Sequence, residues 1–167
     1  MPWVQPDLGL DNTQVGLTAS ALSLTWALSG LFFGAMSDRT GRRKVYLLVG
    51  TVAFCLCSFA TGLATTFLLL VGARLLMGAS EGMVMPVSQS LIVESVSPRR
   101  RGIAMGVAQN FGSNLLGSFA APVLLVAFAT AFGWRNAFFL AGVPGLITAG
   151  LLWWLIREEK PNIGKTP

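Results

Sequence analysis

Arg74 and Glu81 are two full charges inside a stretch, Phe67 to Val93, that is otherwise mostly apolar. Seven residues apart on a helix, they stand two turns from each other and project from nearly the same face. Gly78 lies between them on that face and leaves room for something to approach the backbone, and the stripe continues through Met85 to Ser88 and Gln89. Arginine presents a planar fork matched to carboxylate or phosphate. A desolvated carboxyl such as Glu81 suits a proton carrier. Inside a bilayer either group is costly unless it faces a partner or a wet cavity. The pair therefore reads as part of a polar pathway or, alternatively, as a buried ion pair that locks a helix bundle. Gln109, Asn110 and Asn114 cluster within about a turn or so on the next apolar stretch. They offer neutral hydrogen bonds either to a solute or to a neighbouring helix.

The elements that must carry these groups are membrane helices. Of 167 residues, 53% are hydrophobic and only 11% charged, where a soluble domain carries about a quarter charged. Five stretches reach the ~20 residues needed to span: about Val15 to Met36, Val45 to Ala64, Phe67 to Val93, Ile103 to Phe132 and Asn136 to Ile156. The fold class is an all-α membrane protein of five transmembrane helices. Residues 1–14 read as an extracytoplasmic segment, 15–156 as a five-helix bundle and 157–167 as a cytoplasmic tail. Asn12 and Thr13 are the expected caps of the first span.

Between the first two spans lies Gly34-Ala-Met-Ser-Asp38-Arg39-Thr-Gly41-Arg42-Arg43-Lys44. Its charges predict a water-facing turn; Gly41 supplies free φ there and Gly34 permits close helix approach. Cations alternate from connection to connection: none before the first span, four in this turn, none after the second span. Arg99, Arg100 and Arg101 follow the third span, Arg135 alone follows the fourth, and Arg157, Lys160 and Lys165 follow the fifth. The positive-inside rule then places the N-terminus outside and the C-terminus in the cytoplasm, in the plasma (inner) membrane. Trp134 and Trp153-Trp154 fit an aromatic belt. The net charge of +5 sits in these short clusters rather than on a solvated face with interleaved aromatics, so nucleic acid is not an expected partner. Met1 to Gln14 lacks a basic n-region and an apolar core, which predicts no cleaved signal peptide.

Small residues recur at close-packing spacing: Gly30 with Gly34, Gly78 with Gly82, Gly102 with Gly106, and Gly142 with Gly145 and Ala149. Pro86 and Pro122 are candidate bends. Cys55 and Cys57 fall in an apolar run and the chain has no histidine, so they read as small packing residues, with no metal site or cofactor expected. No nucleophile motif and no phosphate-binding glycine loop is present, so the chain is not expected to be an enzyme.

Gly34 to Arg43 resembles the signature loop between the second and third helices of the major facilitator superfamily. Arg74-Leu-Leu-Met-Gly78-Ala-Ser-Glu81-Gly82 looks like that superfamily's fourth-helix motif, in the form of its anion:cation symporter branch. Gly133-Trp134-Arg135 followed by Phe138-Phe139 is similar to the usual start of the sixth helix. The resemblance covers nearly the whole chain and implies helices two to six of a twelve-helix transporter fold. It implies a cytoplasmic gate of Asp38, Arg42 and Glu94, and packing roles for Gly34, Gly41, Gly78 and Gly82. It further implies that Arg74 acts in anion binding and Glu81 in proton coupling, along a pathway with Gln89, Gln109, Asn110 and Asn114. The Gly-Pro antiporter signature of the fifth helix is not matched, since Gly117 and Pro122 are too far apart. That favours symport over drug:proton antiport.

The expected activity is secondary transport of a small solute, an organic anion, by symport with a proton or sodium and by alternating access. The expected partners are the lipid bilayer, the solute, the coupling ion, and a missing C-terminal half or a second copy. On this reading the family's first helix would precede Met1, and the chain is a fragment. The competing reading is a membrane scaffold or assembly subunit that transports nothing.

Overall fold

The computed structural model describes residues 4–156. Among them every regular element is helical: α1 Val4–Asp7, α2 Asn12–Thr40, α3 Arg43–Gly62, α4 Phe67–Ser95, α5 Arg101–Val107, a π-helical stretch Ala108–Ala120, α6 Ala121–Phe132 and α7 Trp134–Leu155. A 3₁₀ turn, Pro98–Arg100, leads into α5, so that Pro98–Phe132 forms one continuous rod. That rod is the fourth of five helices long and apolar enough to cross a bilayer, with α2, α3, α4 and α7. The all-α expectation and the five spans hold. The expected tail with Arg157, Lys160 and Lys165 lies outside the described residues.

The helices run further than the apolar runs alone suggest. At 1.5 Å per residue, 29-residue α2 is ~44 Å long, well beyond the ~30 Å hydrocarbon core. Its last turn takes in Asp38 and Arg39, where water can solvate both, and the turn between the first two spans shrinks to Gly41 and Arg42. Gly41, at φ 65°, closes α2 by donating its N–H to the Ser37 carbonyl, a left-handed conformation in which a Cβ would be strained. At the other end the cap is Asp11, not Asn12 or Thr13. Its side chain accepts from the Gln14 N–H while Gln14 accepts from the Asp11 N–H. This reciprocal pair satisfies more orphan donors than either expected residue could.

Packing is a relay of pairs: α2 on α4, α4 on α3, α3 on α7, and α7 on α6. The α2–α4 contact is the tightest. A Cβ on Gly78 would strike the Leu22 carbonyl and the Thr25 hydroxyl, and one on Gly82 would strike the Trp26 carbonyl and the Ser29 hydroxyl. Two backbones thus meet where side chains are missing, and Ser29 seals the contact by donating to the Ala79 carbonyl. Lipid offers no hydrophobic drive for this association, so close packing and interhelical hydrogen bonds supply it. Between α3 and α7, Ser58 donates to the Phe138 carbonyl at 2.8 Å, and Cys55 Sγ lies over Gly145.

The two ends of the bundle are chemically distinct. At one end Lys44 donates to the Trp153 carbonyl, tying the start of α3 to the last turn of α7. At the opposite end the α1 carboxylate of Asp7 accepts from Trp134 Nε1 at 3.1 Å and from Arg135 Nη1 at 2.8 Å. Arg135 also lies 4.4 Å over the Trp134 ring. Beneath this lock Val4, Leu10, Ala64, Leu70, Ala129, Trp134 and Ala137 form an apolar cluster.

Candidate functional site

Helix α4 carries both intramembrane charges, and the structure keeps them apart. No ion pair joins Arg74 to Glu81 among the described residues; those present link Arg43 with Asp38, Arg43 with Glu94, and Arg135 with Asp7. Arg74 is seated on an aromatic instead, its guanidinium carbon 5.2 Å from the centroid of the Phe138 ring on α7. Nη1 lies 3.8 Å from the Met77 sulfur, a weak acceptor, and the buried Nε has no hydrogen-bond partner among the described residues. A cation on a ring face gains some stabilisation, but the guanidinium keeps most of its five donors free for a planar anion.

Glu81 stands as many residues from Phe67 as from Ser95, at the midpoint of α4. It is exposed in this bundle and makes no side-chain hydrogen bond among the described residues. The two turns between it and Arg74 amount to ~10 Å along the axis. The reading of this pair as a locked ion pair therefore lacks the contact it requires. What the backbone provides is a free guanidinium in one half of the helix and a free carboxylate at its centre.

Gln89 belongs elsewhere. With Arg43, Pro86, Ser90, Val93, Glu94 and Met105 it lines a cavity of about 400 Å³ at the cationic end. Here Arg43 takes the position that sequence reasoning gave to Arg42. It contacts Asp38 at 3.2 Å and also pairs with Glu94, so that α2, α3 and α4 are joined through one guanidinium. Arg42 is exposed, occupies the position before α3 without a side-chain capping bond, and enters no ion pair among the described residues. The turn decides between them: with Gly41 closing α2 and α3 beginning at Arg43, the first residue of α3 faces the bundle. Neighbouring arginines in a sequence do not reveal that one-residue register.

Gln109, Asn110 and Asn114 lie on the π-helical stretch. Asn110 donates to the Gly106 carbonyl at 3.0 Å and Asn114 to the Asn110 side chain at 3.3 Å, and all three residues are exposed. Asn110 and Asn114 form a polar ladder along one rod with Gln109 beside it, and none of the three bonds Arg74 among the described residues. Of the expected packing glycines, Gly78 and Gly82 meet α2 backbone and Gly34 faces the Pro86 ring with ordinary contact, while Gly41 serves the turn. Phe138 and Arg43 are the participants that sequence reasoning passed over. The aromatic start of the fifth span pointed toward Phe138, but nothing in the spacing paired it with Arg74.

A sequence model of the Major Facilitator Superfamily matches residues 1–167. The chain is 36% identical over 161 residues to the hexuronate transporter of Bacillus subtilis, covering 96% of this chain and 37% of that protein. It is 32% identical over 161 residues to the gallate transporter of Pseudomonas putida, covering 95% of this chain and 34% of that one. Among solved structures, a bacterial homologue of the human lysosomal transporter Spinster, inward-facing and unoccupied, superposes with a TM-score of 0.75 at 23% identity. That match covers 98% of this chain and 40% of the other and concerns the fold alone. The chain thus spans little more than a third of the length of these curated relatives.

Proposed function

This chain belongs to the major facilitator superfamily and is an integral membrane protein, and from that premise we propose that it forms part of a secondary transporter for a small organic anion. The observation that carries the proposal is Arg74: a guanidinium held on Phe138 whose donors are largely unclaimed, with no carboxylate bonded to it among the described residues. Both relatives named above transport anions by their printed names, a hexuronate and a gallate, and a carboxylate is the group a planar fork takes in bidentate fashion.

In this reading Arg74 binds the anion and Glu81, at the centre of its helix, carries the coupling proton or responds to a coupling cation. Gln109, Asn110 and Asn114 line the solute's route, and Gln89 lies where that route meets the cationic end. The Asp38–Arg43–Glu94 group is the cytoplasmic gate, closing and opening as access alternates, with Arg42 beside it at the turn. In this reading the protein sits in the plasma membrane, with the cation-rich end facing the cytoplasm and the Asp7–Trp134–Arg135 lock facing outward, an orientation that the distribution of lysine and arginine supports. Sites in this fold form between two helical halves near the bilayer midplane, so further helices, or another copy of this chain, complete the cavity.

The test is made in a polypeptide of the relatives' length that carries this chain. Arg74→Gln raises the anion concentration for half-maximal uptake by about thirtyfold or more, since a buried charge loses its partner. Glu81→Gln abolishes proton-driven accumulation while anion exchange across the membrane persists. Accumulation unchanged in Glu81→Gln would remove the coupling role, and unchanged affinity in Arg74→Gln would remove the binding role.

A further inference from the structure

The outer faces of α3 and α7 enclose a groove of about 640 Å³ lined by Val49, Val52, Leu56, Leu146, Gly150 and Trp153 among others. Its lining is apolar throughout and comes from α3 and α7 alone, so in a bilayer its contents are acyl chains. At one mouth stands Lys44, whose Nζ bonds the Trp153 carbonyl at 2.8 Å and lies 5.2 Å from the centroid of the Trp153 ring. Trp153 is thus both a wall of the groove and the seat of the cation.

Length and charge select the occupant. From Lys44 to Leu56 along α3 is ~18 Å of rise, close to the ~15 Å thickness of one leaflet's hydrocarbon. The groove itself is lined on α3 from Leu48 to Leu56, ~12 Å, so with the lysine one turn above it the site takes one acyl chain from headgroup toward midplane. An ammonium has three donors and the Trp153 carbonyl uses one, so two remain for a phosphate ester. Arg39 and Arg42 sit exposed in the adjoining turn, while Arg43 pairs with both Asp38 and Glu94. Basic pockets between membrane helices on the cationic side of a protein hold acidic lipid headgroups on this principle.

We propose that the α3–α7 groove and Lys44 form a binding site for one anionic phospholipid, its acyl chain beside Val49, Val52 and Leu56 and its phosphate at Lys44. The site is separate from the solute pathway and holds whether or not that pathway is read correctly. It requires only that the α2–α3 turn meet a headgroup layer.

The test is native mass spectrometry of the full chain released from micelles, with phosphatidylglycerol and phosphatidylcholine carrying identical acyl chains. Phosphatidylglycerol is retained on the order of fivefold more than phosphatidylcholine, and Lys44→Gln removes the preference while Lys44→Arg keeps it. Gly150→Phe, placed where a Cβ meets open space, weakens retention of both lipids by filling the groove. Photolysis of a diazirine-tailed phosphatidylglycerol labels peptides from 45–62 and 143–156, a readout that needs no variant to fold. Equal retention of the two lipids, a preference that survives Lys44→Gln, or label confined to other helices would each overturn the site. So would displacement by free glycerol phosphate as effective as displacement by the lipid, since that would reduce it to a phosphate contact without a groove.

Discussion

Helix α4 and the rod Pro98–Phe132 are both long, apolar and glycine-bearing, and they end in opposite circumstances. Eight residues of α4 are buried: Leu70, Ala73, Met77, Gly78, Ser80, Gly82, Met83 and Val87. Among the described residues the rod buries Ala129 alone. Gly78 and Gly82 are spaced as Gly102 and Gly106 are, yet the first pair abuts two carbonyls of α2 and the second faces open space. Four-residue spacing of glycines therefore permits close approach without bringing it about. The difference lies in what faces the glycines: Leu22, Thr25, Trp26 and Ser29 on α2 present backbone oxygens and hydroxyls at the right height. The rod has turned its small residues toward territory that this chain does not fill, and its middle is wound as a π-helix. That winding is rare, and it occurs mostly as single-turn bulges at functional positions.

Overpacking should expose the contrast most strongly. Gly82→Leu is expected to cost about 3 kcal/mol or more, because it drives a side chain into the Trp26 carbonyl rather than into a flexible neighbour. Gly106→Leu should change stability by no more than about 0.5 kcal/mol. Thermal unfolding in a mild detergent measures both. An equal loss in the two variants would show that the rod is packed as closely as α4.

The cation-rich ends of the helices offer a gentler comparison. Arg43 joins α4 to α2 and α3, whereas Arg99, Arg100 and Arg101 at the head of the rod are exposed. Because Asp38 and Glu94 are themselves largely exposed, Arg43→Gln should cost only about 1 kcal/mol, and Arg42→Gln or Arg100→Gln less than about 0.5 kcal/mol. Double-mutant cycles with Glu94→Gln read this directly. A coupling energy larger for Arg42 than for Arg43 would reverse the assignment made from the register of α3.

Smallest is the effect of single interhelical hydrogen bonds. Ser29→Ala removes the bond to the Ala79 carbonyl and should cost about 0.6 kcal/mol, the average for such bonds within a bilayer. Asn110→Ala removes two bonds, to the Gly106 carbonyl and from Asn114, but both lie within its own rod and the change should be near neutral. If Asn110→Ala proves the more costly, the polar ladder of the rod has a partner in the membrane.

Much of this was legible in the residues. Composition and the lengths of the apolar runs determined five membrane helices. The alternation of cation-rich and cation-poor connections suggested which helix ends lie together, and the structure gathers them accordingly through Lys44 to Trp153 and Arg43 to Glu94 at one end and Asp7 to Arg135 at the other. The motifs around Asp38 and Arg74 were enough to suggest the family. These features are local or periodic, and a chain in lipid must obey them wherever its helices settle.

What tertiary structure alone decided was who meets whom. Hydropathy is nearly uniform around α2, α4 and α7, so it does not set their rotation, and the facing partner of each polar group on them stays open until the backbones dock. Docking placed Arg74 on Phe138 instead of against Glu81, chose Arg43 over Arg42, separated Gln89 from Gln109, Asn110 and Asn114, and left one glycine pair packed and another bare. In a membrane, apolar surface draws every helix to the same depth, whereas the oxygens, rings and missing side chains that distinguish one neighbour from another act only within a few ångströms.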